Sequence, residues 1–251
     1  MSDIISGNIS DIKKIVLLGG GGHCKSVLDT LLRMESFWEP IITDNNIPAG
    51  DTIMGCKVIG SDDILQELCN SGITHACIAV GNIKDTKQRH AIYDKAEKAG
   101  FKFPNIIDPS AAVSESAEIG KGVFIGKNAA INAASIIDDM AIINTGAIVE
   151  HDCHIGSFVH IAVGAVVCGG VEIGSDSFIG AGATIIQGVR IGMNSVIGAG
   201  STILRDVPEN TTVVGVWGGG YTEYEIMPDR ISVKSRYGIC CWKRDRGCLA
   251  C

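Results

Sequence analysis

Apolar positions along this 251-residue chain follow two rhythms, and the change falls near residue 106. From Ile107 to Ile203 every sixth residue is isoleucine or valine, 17 consecutive positions without a miss. Four residues after each comes a small or β-branched residue, such as Ala111, Val123, Ala147 or Cys153, and glycine often follows the branched one, as in Ile125-Gly126 and Ile179-Gly180. A period of six fits neither an amphipathic helix nor a hairpin sheet. It fits a parallel β-helix, in which each hexad makes one short flat side and a turn. Side chains alternate along a strand, so the small residue and the Ile or Val two positions on both point inward, and coils stack at the strand spacing of about 4.8 Å.

Residues 14–106 read instead as strands alternating with helices, the pattern of a small parallel α/β domain. Lys14–Gly19 is an apolar strand, followed by Gly19-Gly20-Gly21-Gly22-His23 and a helical pattern from Ser26 to about Met34. Pro40–Asp44 and Thr74–Val80 are further strands, the latter closed by Gly81-Asn82. Ser61 is a candidate N-cap for a helix through Cys69, and Asp85–Ala99 is a helix ended by Gly100. After Val207-Pro208 the hexads stop. The expected organisation is residues 1–106 as an α/β, Rossmann-like domain, 107–208 as the β-helix, and 209–251 as an atypical tail, disordered or aberrant.

Formal charge is −7, and the hexad region carries no basic stripe that would track nucleic acid. The first residues lack a basic region followed by an apolar core, and no apolar run is long enough to span a membrane, so a cytoplasmic protein is expected. Six scattered cysteines, at 24, 56, 69, 77, 153 and 168, then read as reduced, buried thiols. Cys248-Leu-Ala-Cys251 has zinc-like spacing but no second pair, and no metal is expected.

Two stretches carry candidate chemistry. The glycine run enters a helix, where backbone N–H groups can meet a phosphate, although a plain tight turn explains it as well. It is not the dinucleotide fingerprint, because the sixth position from Gly19 is Cys24. Asp44, 22 residues past Gly22, and Gly81-Asn82 end strands at the same carboxyl edge, where open α/β sheets bind ligands. Valine at position 22 should crowd this turn. In the hexads, Glu150-His151-Asp152-Cys153-His154, with His160 following, is the densest polar cluster. A histidine beside an acid is made more basic, as a general base near neutral pH requires, whereas a lone corner histidine is usually just solvated. His154 and His160 should both face outward, and Cys153 inward as packing.

The combination of Gly-Gly-His in the first domain with Asn144-x₆-His151-Asp152 in the hexads resembles the NeuD/PglD group of sugar acetyltransferases, within the hexapeptide-repeat transferases. The likeness spans roughly residues 14–215. It implies a left-handed triangular β-helix with three hexads per coil, acetyl-CoA as co-substrate, a homotrimer, and a sugar, nucleotide-linked amino sugar or sialic acid as acceptor. By motif, His151 matches the catalytic base, Asp152 the acid that raises its basicity, and Asn144 the asparagine before it. His160, Ala181 and Ala199 match coenzyme contacts; Gly21, Gly22, His23, Asp44, Asn45 and Gly81 match acceptor contacts. Asn45 stands where some members carry a second aspartate. The family ending begins as Val213-Val214-Gly215-Val216 and departs at Trp217. Two rivals remain: a γ-carbonic anhydrase-like zinc enzyme, and a non-enzymatic solenoid serving as a binding or assembly module.

Overall fold

The computed structural model describes residues 13–34, 38–82 and 85–218, and the backbone of strands at Glu223–Met227, Arg230–Ser235 and Gly238–Trp242. The chain divides into two compact units, Met1–Val80 with His90–Pro104, and Gly81–Arg89 with Asn105–Cys251.

In the first unit, β1 (Lys13–Leu18), β2 (Trp38–Thr43), β4 (Cys56–Gly60) and β5 (His75–Ile78) form a parallel sheet, with β3 (Thr52–Ile53) antiparallel on its edge. The order is β3-β4-β2-β1-β5. The chain leaves β1 toward β2 on one side and later returns to β5 on the other, so the carboxyl end of β1 is a switch point where such sheets open a crevice. Ile15, Val16, Leu17 and Leu18 are buried, as are Val27, Leu28 and Leu31 of α1 (Gly22–Arg33). Helix α1 begins four residues before the expected Ser26, so the last glycine of the run is already helical. Ser61 caps a 3₁₀ turn, Asp62–Ile64, that leads into α2 (Leu65–Asn70). α3 (Lys87–Ala99) ends at Gly100, whose φ of +97° only glycine adopts freely. The β3–β4 hairpin was not anticipated. Its turn uses Met54 and Gly55, both at positive φ, and methionine there is no turn signal.

The second unit stacks two-residue strands into three parallel sheets in the register of the sixfold ladder. Seven strands line one side, from Ala112–Val113 to Val216–Trp217; seven line another, from Ile106–Ile107 to Thr212–Val214; five line the third, from Glu118–Ile119 to Arg190–Ile191. The second residue of each pair points inward, and Ile125 through Ile203 form one buried column system with Ala129, Ala141, Ala147 and Cys153. The first residues point out and give each side its own character. One side shows Phe124, Ile142, His160, Phe178 and Val196; the next shows Ala112, Ala130, Ile148, Val166, Thr184 and Thr202, without a charge; the third shows Glu118, Ile136, His154, Glu172 and Arg190.

Each turn places a residue at positive φ, six apart: Gly146, Asp152, Phe158, Gly164 and Gly170 in succession. Glycine, Asn and Asp tolerate this conformation; Met140 and Phe158 do not, yet both are buried at φ near +60°. Their carbonyls accept from one guanidinium: Arg89 Nη2 to Met140 O at 2.5 Å and Nη1 to Phe158 O at 3.3 Å, with Phe158's ring 5.4 Å from the cation. Arg89 is 2 % exposed. Three residues earlier, Thr86 Oγ1 donates to Asp176 Oδ1 at 2.6 Å. Residues 85–89 are thereby clipped onto the phenylalanine-bearing side.

Stacking does not stop at Pro208. Val207 bridges Ile191, Val213 pairs with Ile197 and Trp217 with Ile203, over connections shorter than eighteen residues, which is why counting by six loses them. Trp217 Nε1 donates to Asp206 O at 3.1 Å and its ring lies 5.2 Å from the Arg205 cation. The tail, expected to be irregular, adds three antiparallel strands to the Thr212–Val214 edge. Cys248 and Cys251 lie outside the described residues, as do Met1–Asp11 and Ile12. Among the six scattered cysteines, all free, Cys24, Cys77 and Cys153 are buried but Cys56, Cys69 and Cys168 are only partly so. Among the described residues, no helix is long and apolar enough to cross a membrane.

Candidate active site

His151 and Asp152 form the turn after strand Ile148–Val149. Asp152 occupies the positive-φ position, φ +58°, which turns its carboxylate back to the preceding side chain. His151 Nδ1 lies 2.7 Å from Asp152 Oδ2. A carboxylate accepts, so Nδ1 donates and Nε2 is left as the free lone pair. The hydrogen bond to Asp152, aided by the charges of Asp152 and Glu150, holds the imidazole pKa above its ordinary value. The pair is open to solvent, the side chains 62 % and 67 % exposed.

One further residue shapes this position and is not apparent from motifs. A Cβ on Gly169 would sit 2.7 Å from His151 Cε1 and Nε2, so the imidazole packs directly against that glycine. The turn's positive φ belongs to Gly170, so Gly169 is a glycine that the turn does not need. It comes eighteen residues after His151, one coil on, and that offset was the available signal.

Asn144 precedes strand Ile148–Val149 and His151 follows it, so the two flank opposite ends of one short side. His160 does point away from the coil interior, as expected, but it is not in solvent: it is 8 % exposed. Its Nδ1 donates to the Asn82 carbonyl at 2.9 Å, and its Nε2 lies 3.3 Å from Asn144 Nδ2. Burial, with Arg89 adding to it, pushes its pKa down to about 4. His154 pairs with Asp138 at 3.0 Å on the charged side, apart from His151. Ala181 and Ala199 are exposed on one edge, successive coils apart, where Gly200 N donates to Ala181 O at 2.9 Å. A Cβ at Gly180 would come 2.5 Å from Ala199 N, so the coils meet closely here. Cys153 is buried, and burial raises its thiol pKa.

In the first unit, Gly21 is the N-cap of α1 and provides no side-chain cap; no acid lies in the first turn. A Cβ at Gly21 or Gly22 would meet nothing within 4 Å. Valine at 22 therefore does not crowd the turn itself, contrary to expectation, because the helix starts there and its first turn faces open space. Gly20 is different: a Cβ would hit Ile47 and Ile53 at 2.6 and 2.7 Å. His23 sits half-buried in the first turn, and Cys24 behind it is pushed up to about 12 by burial. Asp44 acts as a staple: Oδ2 accepts Gly20 N at 2.7 Å, and Oδ1 accepts the N–H groups of Asn46 and Ile47. Asn45 is exposed yet tied to Asp62 by two hydrogen bonds. A groove of 660 Å³ is lined by Gly20, Lys25, Ile47, Thr52, Ile53 and Met54. Gly81 groups with the other unit, ahead of the clipped residues. A second groove, 630 Å³, follows His154, Glu172, Arg190 and Glu209 and does not include His151.

Among the described residues, no three His, Cys, Asp or Glu side chains converge on a metal position. A neutral imidazole backed by a carboxylate, exposed at the corner of a hexad coil, is equipment for proton transfer in acyl transfer. Residues 14–96 match the PglD N-terminal domain, and 170–205 the bacterial transferase hexapeptide (six repeats). Among solved structures, the chain resembles GDP-perosamine N-acetyl transferase from Caulobacter crescentus, in complex with CoA and GDP-perosamine, at 37% identity over 81% of this chain and 94% of that one, TM-score 0.76. It also resembles the acetyltransferase domain of PglB from Neisseria gonorrhoeae, in complex with acetyl coenzyme A, at 35% identity over 81% and 96%, TM-score 0.76. WeeI from Acinetobacter baumannii, at 24% identity and TM-score 0.72, shares the fold. The chain belongs to the PglD-type sugar acetyltransferases, acyltransferases whose second domain is a left-handed β-helix of hexapeptide repeats.

Proposed function

We propose that this enzyme transfers the acetyl group of acetyl-CoA to a primary amine on a nucleotide-linked sugar. The observation that carries the reading is the His151–Asp152 pair, 2.7 Å apart, with Nε2 left bare. Nε2 takes a proton from the acceptor amine as its nitrogen attacks the thioester carbonyl. The C–S bond then breaks, and the thiolate of CoA leaves with the proton that His151 returns. Asp152 holds the ring in the required tautomer and supports the imidazolium that forms. No acyl-enzyme is needed, so the buried, protonated Cys153 has no part. The resemblance to enzymes bearing CoA and GDP-perosamine supports both substrates, and favours an amine over a hydroxyl or a sialic acid.

On this reading the acceptor's nucleotide lies at Gly21, Gly22 and His23, with Asp44 and Asn45 on the same unit; Gly81 is a further acceptor contact by motif alone. Open space above an uncapped 12-residue helix, beside Lys25, suits a diphosphate. Gly22→Val should fold normally, raise the KM of the sugar nucleotide by roughly tenfold or more, and leave acetyl-CoA affinity by calorimetry unchanged. Loss of acetyl-CoA affinity with acceptor affinity kept would overturn the assignment.

His160, Asn144, Ala181 and Ala199 form the acetyl-CoA side. Because Asn144 and His151 flank opposite ends of one short side, the reading joins them across neighbouring chains in a homotrimer. The uncharged side, Ala112 through Thr202, is the surface suited to that packing. Light scattering should give three times the chain mass; an active monomer would sink the shared site. A domain division near residue 106 and a cytoplasmic location, with the pools of acetyl-CoA and sugar nucleotides, belong to the same proposal.

A further inference from the structure

Two hydrogen bonds on the phenylalanine-bearing side determine how one histidine is protonated. The Asn82 carbonyl can only accept, so at 2.9 Å it requires the hydrogen of His160 to reside on Nδ1. Nε2 is then a lone pair, and it accepts a hydrogen from Asn144 Nδ2 at 3.3 Å. At the other end of the same amide, Oδ1 of Asn144 accepts the Thr145 N–H at 2.8 Å. Flipping the amide would set its oxygen against the Nε2 lone pair and its NH₂ against an N–H, so one orientation is specified. Asn144 is only half-buried, which leaves its second amide hydrogen for a ligand.

The carbonyl that sets the tautomer is itself held. Asn82 precedes residues 85–89, which are clipped by Thr86 to Asp176 and by Arg89 to Met140 and Phe158. Phe178 closes on the ring edge-to-face at 5.2 Å. Burial, with the charge of Arg89 adding to it, disfavours a second proton on the ring.

We propose that His160 is a positioning residue: the Asn82 carbonyl fixes its Nδ1–H tautomer, and its bare Nε2 aims the Asn144 amide at the bound acyl donor. The aim of that amide rests on the proposed acetyl-CoA side; the tautomer does not.

The tautomer is read directly from long-range ¹H–¹⁵N spectra of the ¹⁵N-histidine-labelled full chain, with His160 assigned by its loss in His160→Gln. The expected spectrum shows a protonated Nδ1 and a pyridine-like Nε2 at pH 6 and at pH 8. An Nε2–H tautomer, or an imidazolium at pH 6, overturns the proposal whatever the enzyme's activity. Kinetics then test the relay. His160→Ala should lower kcat/KM for acetyl-CoA by roughly tenfold, about one hydrogen bond, and His160→Gln, whose amide oxygen reaches the Nε2 position, should recover most of it. In an Asn144→Ala background, His160→Ala should have no further effect. An equal loss in both backgrounds means that His160 does not act through Asn144. A wild-type chain with no acetyl transfer to any amino-sugar nucleotide would instead fail the functional reading and leave the tautomer result standing.

Discussion

Replacing His151 with alanine lowers turnover by roughly 10²–10⁴, the usual effect of losing a general base, while the chain folds and binds acetyl-CoA as before. Fold and reaction separate cleanly here because the side chain is 62 % exposed. Removing it opens no cavity and strands only the equally exposed Asp152. The same geometry sets a pH dependence. Catalysis needs the neutral ring, so kcat/KM rises with pH through the His151 pKa, which the hydrogen bond to Asp152 holds above the ordinary imidazole value. Asp152→Asn should move that midpoint down and cost less rate than His151→Ala, since the amide oxygen can still accept from Nδ1. A His151→Ala enzyme with near-wild-type kcat would end the proposed mechanism.

Arg89→Ala should produce the largest loss of stability. Met140 and Phe158 sit at positive φ, and the carbonyls of both buried residues accept from one guanidinium. Orphaning two acceptors on buried residues at about 1–3 kcal/mol each predicts a loss near 3 kcal/mol or more. For a chain of this size that lowers Tm by roughly 6–12 °C. Arg89→Lys, a single ammonium on a different stem, should recover part of the loss but not both bonds. A thermal midpoint for Arg89→Ala within a degree of wild type would show that these carbonyls find other partners.

How much of this was legible beforehand depended on the kind of interaction. The β-helix was, because its core repeats the same demand at every sixth residue from Ile107 to Ile203. The His151–Asp152 pair was, because its members adjoin in sequence. The covering of His160 was not. It depends on Asn82, 78 residues away, and on an arginine that reads as an ordinary charge in a Lys- and Glu-rich helix. The last coil escaped too, since its connections shorten just where Trp217 replaces an aliphatic residue over Ile203. At Gly22 the expectation of crowding failed because a glycine next to open space looks, in sequence, like a glycine in a tight turn.

The core of the β-helix and its surface have different periods. Inside, one hexad is equivalent to the next, since Ile or Val over a small residue recurs six apart. Outside, equivalence needs three hexads, because the aromatic, uncharged and charged sides alternate. A six-residue insertion before Ile148 would thus be invisible to the interior, which would stack it like any other rung. To the exterior it is a reading-frame error. Every later side turns by one-third of a revolution, so the charged residues Glu172 and Arg190 come to lie where the aromatic stripe had been, and His151 moves to another corner. An eighteen-residue insertion at the same point restores the frame. Length variants of this chain should therefore be tolerated in steps of eighteen and fail in steps of six, not by unfolding but by presenting the wrong side.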